Sequence, residues 1–227
     1  MRMDILRFSL LSLYLIISAC GQQNNAPESA PAATEKKDSI ITIHSSKTIL
    51  FFGNSLTAGY GVDPSQAFPA IIQKKLDSFQ LPFKAINAGV SGETTAGGLG
   101  RIDWILRQAP DVFVLELGGN DGLRGIPLTE TRKNLQAIIN RVREKRPETK
   151  IILAGMMMPP NMGPQYTREF QSIYPDLAAA NKIPLIPFLL EGVGGDPRLN
   201  QSDGIHPNPE GHRIVAENVW KVLKSIL

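Results

Sequence analysis

Short runs of almost purely apolar residues, separated by segments of helix length, limit what this chain can fold into more than any other feature. The runs fall at residues 48–53 (TILFFG), 83–87 (FKAIN), 112–117 (VFVLEL), 150–155 (KIILAG) and 184–186. Between and after them, residues 68–79, 94–108, 128–146, 165–181 and 209–226 carry apolar side chains at helical spacing. Pro69 suits a first helical turn, Pro110 and Pro147 end the helices before them, and Pro175 is expected to bend its helix. Strands without polar alternation are buried on both faces. Alternation with helices then calls for parallel pairing and right-handed crossovers. The expected fold is α/β, a three-layer α/β/α sandwich around about five parallel strands. In such sheets ligands bind outside the carboxyl ends of the strands.

Length and composition fit one such body. The 227 residues (24.8 kDa) are 42% apolar and 20% charged, close to the globular average, which excludes wholesale disorder. The net charge of +3 is small and scattered, so a nucleic-acid partner is not expected. One cysteine excludes an internal disulfide framework. Three histidines, His44, His206 and His212, leave little for a histidine-rich metal site, and no metal or organic cofactor is implied.

The first 46 residues are different in kind. Arg2 and Arg7 precede an apolar stretch at residues 8–19, too short to span a bilayer as a helix. This is the architecture of a signal peptide, here residues 1–19. Residues 17–20 (ISAC) resemble a bacterial lipobox, with Cys20 as the lipidated first residue of the mature chain, and this accounts for the lone cysteine. Residues 20–46 are polar and rich in Ala and Pro, a composition that cannot offset its ordering entropy, and are expected to form a disordered tether. Residues 40–43 (IITI) either begin a strand or form the join. The folded body is residues 47–227, and the chain is expected to be an exported monomer held to a membrane by its N-terminal lipid.

Polar, glycine-rich segments follow four points of the alternation, and the topology brings them to one rim. They are residues 53–59 (GNSLTAG), 89–94 (GVSGET), 118–122 (GGNDG) and 203–208 (DGIHPN). A serine hydroxyl is a poor nucleophile until a base takes its proton, and His206 is the best base available. Asp203, three residues earlier, can reach the ring nitrogen turned away from Ser55. The Ser55 N–H, the Gly92 N–H and the Asn120 side-chain amide are candidate donors to an oxyanion. Taken alone, Ser55 is more readily a helix cap. Glu93 reads as a first-turn charge or loop anchor, Asp121 as a partner for a neighbouring helix terminus, and His212 as half-buried. Residues 97–100 (GGLG) lie in a helical pattern without a GK[ST] ending, so a phosphate loop is not expected.

Together the blocks GNSLTAGYG, SGET, ELGGND and DGIHPN resemble those of the SGNH (GDSL-type) hydrolases, in the same order. Residues 118–125, 170–178 and 183–193 are similar to the thioesterase I, lysophospholipase and arylesterase branch. The resemblance implies a flavodoxin-like SGNH fold and cleavage of carboxylic esters or thioesters through an acyl-enzyme. It implies Ser55 as nucleophile with Asp203 and His206, and an oxyanion hole from Ser55, Gly92 and Asn120. The family's usual Asp before the nucleophile is Asn54 here, which carries no charge, so loop rigidity and the pH profile are the properties at stake. Thr57 breaks the GxSxG pattern of an α/β-hydrolase elbow. The loop at residues 156–166 (MMMPPNMGPQY) is either strand-end core or, as the resemblance implies, an acyl-binding loop with Met158, Pro159 and Tyr166 near substrate. Two other readings stay open: an O-acetyl esterase acting on polysaccharide, and a non-catalytic flavodoxin-like binding module.

Overall fold

The computed structural model describes residues 47–227. The expected signal peptide, Cys20, the tether and His44 lie outside the described residues. Five strands form one parallel sheet: β1 (Lys47–Gly53), β2 (Phe83–Gly89), β3 (Val112–Glu116), β4 (Lys150–Ala154) and β5 (Leu185–Ile186), in the spatial order β2-β1-β3-β4-β5. The connecting helices are α1 (Ser55–Ala58), α2 (Phe68–Ser78), α3 (Thr95–Ile105), α4 (Gly119–Leu123), α5 (Leu128–Lys145), α6 (Pro164–Asn181) and α7 (Pro209–Leu223). α2 packs with α7, and α5 packs with α3 and α6, which gives the expected three layers. Among the described residues no helix is long and apolar enough to cross a membrane.

The inner strands are apolar because both faces are covered: Ile49, Leu50, Phe51 and Phe52 of β1 are wholly buried, as are Phe113 and Leu115 of β3. β2 lies at the sheet edge, and beyond Phe83 its residues are half-buried or exposed. Register aligns Gly53 with both Gly89 and Glu116, so the carboxyl ends of β2, β1 and β3 are level. The chain leaves β1 and β3 toward opposite sides, the switch point where such sheets form a crevice.

The differences from the sequence expectation are local. α3 ends at Ile105, and one 3₁₀ turn carries the chain to Gln108. β3 stops at Glu116 because the Tyr174 hydroxyl donates to the Leu117 carbonyl (3.0 Å) and Gly118 turns to φ 109°. α7 ends at Leu223, after which Ser225 and Ile226 donate to carbonyls three residues back, as tightened helix ends do. α6 continues through Pro175. Sequence reading did not separate the short helices α1 and α4, and both start at the rim. Close approach permits α1: a Cβ on Gly89 would stand 2.2 Å from the Ala58 nitrogen, so only glycine lets this turn settle on β2.

Candidate active site

Ser55 is the first residue of α1, directly beyond β1, and His206 lies on the connection before α7. They are 151 residues apart in sequence, and the Ser55 hydroxyl donates to His206 Nε2 at 2.8 Å. The Nδ1–H on the other side of the ring donates to Asp203 Oδ2 at 2.7 Å. A carboxylate can only accept, so this contact fixes the tautomer and leaves Nε2 free to take a proton. The other Asp203 oxygen accepts the backbone N–H groups of Ile205 and His206, both at 3.0 Å. Partial burial opposes ionisation of Asp203, but these N–H groups and the His206 ring hold its pKa down to about 2. The loop carrying the pair is braced. Gln201 N–H donates to the His206 carbonyl (2.7 Å), Gln201 Nε2 to the Tyr60 carbonyl (2.7 Å), and Asn200 Nδ2 to the Val193 carbonyl (2.7 Å). The Tyr60 ring lies 4.8 Å from the His206 ring. Asn200, Gln201 and Tyr60 were not singled out from the sequence.

A buried cluster holds the serine turn. Asn54 Oδ1 accepts the Leu56 N–H at 2.9 Å, capping α1, and lies 3.5 Å from the Ser55 hydroxyl. Asn54 Nδ2 donates to Glu116 Oε1 at 2.7 Å. Glu116 Oε2 accepts the Asn54 N–H (3.0 Å) and the Thr57 hydroxyl (2.8 Å). A Cβ on Gly53 would come within 2.4 Å of Glu116 Oε2, so this position must be glycine. Burial raises the Glu116 pKa to about 7, although all of these donors favour its ionised form.

Across the rim, Asn120 is the second residue of α4, and its Nδ2 donates to the Glu93 carbonyl at 3.0 Å. Arg124, at the other end of α4, donates to the Gly92 carbonyl at 2.9 Å. Gly92 has φ 78°, a left-handed conformation that suits glycine. Glu93 proves to be a loop anchor: its nearly buried carboxylate accepts Arg101 Nε at 2.6 Å, and the guanidinium also reaches the Ala88 carbonyl (2.8 Å) and covers the Phe52 ring. Asp121 is buried and accepts the Thr95 N–H at 2.9 Å, joining the start of α3 to α4 as expected. Contacts from Asn120, Arg124 and Arg101 therefore hold the loop that carries Gly92. The arrangement can relay a proton from a hydroxyl to an imidazole and offers N–H donors nearby, as acyl transfer requires.

A family model described as the GDSL-like lipase/acylhydrolase family matches residues 51–214. The chain belongs to this family. It is 41% identical to esterase TesA of Pseudomonas aeruginosa over 182 residues, which cover 80% of this chain and 90% of that protein. It is 38% identical to thioesterase 1/protease 1/lysophospholipase L1 of Escherichia coli over 181 residues, 79% of this chain and 85% of that protein. The crystal structure of TesA superimposes with a TM-score of 0.77 at 41% identity, covering 80% of this chain and all of that one. The protein is a carboxylic ester hydrolase of the GDSL family, which removes the non-catalytic binding module from consideration.

In this hydrolase a mainly apolar cavity of about 520 Å³ opens at Ser55 and His206. Asn54 and Asn120 supply polar lining, and Leu123, Met156, Met157, Met158, Phe188 and Ile205 supply apolar lining. Met156 and Met158 are buried as strand-end residues and Met157 is half-buried, and all three line the cavity. Pro159 also lines it. Tyr166 is a correction. It does not line the cavity, because α6 begins at Pro164 and turns its hydroxyl to the Gly122 carbonyl at 3.2 Å. His212 is another. It is 1% exposed, since it falls on the core side of α7 with Val215, Val219 and Leu223. Burial, and secondarily the charge of His206, push its pKa down to about 4, so it is neutral near pH 7.

Proposed function

We propose that the protein hydrolyses carboxylic esters and thioesters whose acyl group is a hydrocarbon chain. Ser55 is the nucleophile, His206 the general base and acid, and Asp203 the group that orients it. The supporting observation is the unbroken hydrogen-bond chain from Asp203 through His206 to Ser55, at the mouth of an apolar cavity. Ser55 Oγ attacks the acyl carbonyl as its proton passes to Nε2. The carbonyl oxygen, now an oxyanion, takes N–H bonds from Ser55, Gly92 and the Asn120 side chain. Collapse expels the alcohol or thiol, which takes the proton from His206, and water repeats the sequence to release the acid and restore Ser55. Asp203 is ionised throughout the neutral range, so it can stabilise the imidazolium at each step.

The size and lining of the cavity favour a hydrocarbon chain over an acetyl group. Relatives named for esterase, thioesterase and lysophospholipase activity agree with that choice. A p-nitrophenyl ester series of increasing chain length, beside a lysophospholipid and an acyl thioester, tests it. Met157→Trp should fill part of the cavity. Excluding two methylenes at about 0.8 kcal/mol each lowers kcat/KM for an octanoate roughly tenfold, with the acetate ester almost unchanged. Equal losses on both esters would remove the acyl-cavity reading.

We infer also that the chain is exported and anchored by acylation of Cys20, at the periplasmic face or the cell surface. The basic start, the short apolar stretch and the ISAC block support this reading. Expressed in a bacterium, the full chain should lose residues 1–19 and incorporate labelled fatty acid, and Cys20→Ala should abolish the labelling. A full-length wild-type chain that takes up no fatty-acid label would refute the anchor.

A further inference from the structure

Two buried carboxylates stand near the rim, and the ester chemistry uses neither. Asp121 joins α3 to α4 and touches nothing that reacts. Glu116 differs, because its donors all belong to the stretch from Asn54 to Thr57 that carries the nucleophile. We propose that Glu116 is a positioning residue for Ser55: its carboxylate grips the chain on both sides of the nucleophile, and Asn54 supplies an N–H where an aspartate would set a second carboxyl against it. The proposal rests on the reading of Ser55 as the nucleophile.

The donor directions carry the argument. Asn54 Oδ1 is committed to the Leu56 N–H, so the amide can present only Nδ2 to Glu116, and Oε1 must accept. Oε2 faces a backbone N–H, which also can only donate. The Thr57 hydroxyl is the one partner able to reverse its role. Ionised Glu116 therefore satisfies every donor, with charge-assisted bonds about twice as strong as neutral ones. Protonated Glu116 has one place for its proton, between Oε2 and Thr57, and that oxygen then becomes a poor acceptor for the Asn54 N–H. No cation answers the charge among the described ion pairs. Tyr174 of α6 feels the negative charge of both Glu116 and Asp121 of α4, and neither group offsets it. Burial places the titration at about pH 7, so the grip loosens as pH falls through neutrality. An aspartate at position 54 would need a proton shared with Glu116 across the 2.7 Å contact, and the amide needs none.

In Glu116→Gln one amide hydrogen must face a donor, whichever way the side chain is set. The variant should lose roughly 10- to 100-fold in kcat, the size expected from one unpaired buried donor. KM for a short ester should change far less. In the wild type the acid limb of kcat/KM should depend on two protons, one at Glu116, and in Glu116→Gln on one. Thr57→Val removes a single donor to the anion and should move the Glu116 inflection upward by about one pH unit. Infrared titration of the carboxyl band, wild type minus Glu116→Gln, reads the same ionisation without catalysis. It separates a failure here from a failure of the esterase reading, which fluorophosphonate labelling of Ser55 tests. A Glu116→Gln protein with wild-type kcat and an unchanged acid limb overturns the proposal, and so does a Thr57→Val protein whose inflection stays in place. Should Glu116→Gln fail to fold, Thr57→Val decides alone.

Discussion

Ser55→Ala should lower kcat for a p-nitrophenyl ester by on the order of 10⁴–10⁶, the range seen when a triad member acting as part of a unit is removed. The loss is this large because His206 and Asp203 have no other group to activate. Nε2 points at the Ser55 hydroxyl, 2.8 Å away, and Nδ1 is held by Asp203. What survives comes from the N–H donors and substrate binding alone. Stability should change little, because the turn is held by Asn54 and Glu116 rather than by the hydroxyl. His206→Ala should show a comparable loss, and the double variant little more than either single one, because the residues act together. Steady-state rates and fluorophosphonate labelling check this, with circular dichroism to confirm folding. A Ser55→Ala protein that keeps a hundredth of wild-type activity would mean another nucleophile.

The strands and long helices were legible because the inner sheet is buried on both faces, which leaves apolar runs such as 112–117 with no other structure to form. The pair Asp203 and His206 was legible from spacing, since three residues of one turn set a carboxylate beneath a ring. Its junction with Ser55 was legible only through topology, as β1 and the connection before α7 end at one rim. Glu116 was missed because it looked like part of a strand, yet a carboxylate inside a strand with both faces covered is itself a signal that something must satisfy it. His212 was misread as half-buried, although with Val215, Val219 and Leu223 it completes a helical stripe on α7 that faces inward. Tyr166 could not be placed from sequence, because its direction depends on where α6 begins after Gly163, whose φ of 90° turns the chain. Asn54 caps α1 through its oxygen on the Leu56 N–H and meets Glu116 with an amide, where an aspartate would meet it with a second carboxyl.

Asn120→Ala should reduce kcat by on the order of 10²–10³, the loss expected from one side-chain donor of an oxyanion hole. The Asn120 amide has two hydrogens. One is committed to the Glu93 carbonyl at 3.0 Å, which fixes the side chain at the mouth of the cavity, and the other remains for substrate. That anchoring matters more than the bond itself, since a donor already aimed at the oxyanion needs no reorganisation when charge develops. The effect should fall on kcat rather than KM, because the ground-state carbonyl carries far less charge than the tetrahedral oxygen. Asn120→Asp should do worse than alanine, because a carboxylate would repel the oxyanion and oppose the Glu93 carbonyl. The same loop can be loosened from its far side. Arg101→Met removes the pair with Glu93 and the bond to the Ala88 carbonyl, so the loop that carries Gly92 loses one of its braces while Asn120 and the Arg124 bond to the Gly92 carbonyl remain. Rates for Asn120→Ala, Arg101→Met and the combined variant separate these contributions, and losses that multiply would show two donors held independently. Losses no larger in the double variant than in Asn120→Ala would show that Asn120 depends on the Glu93 anchor for its aim.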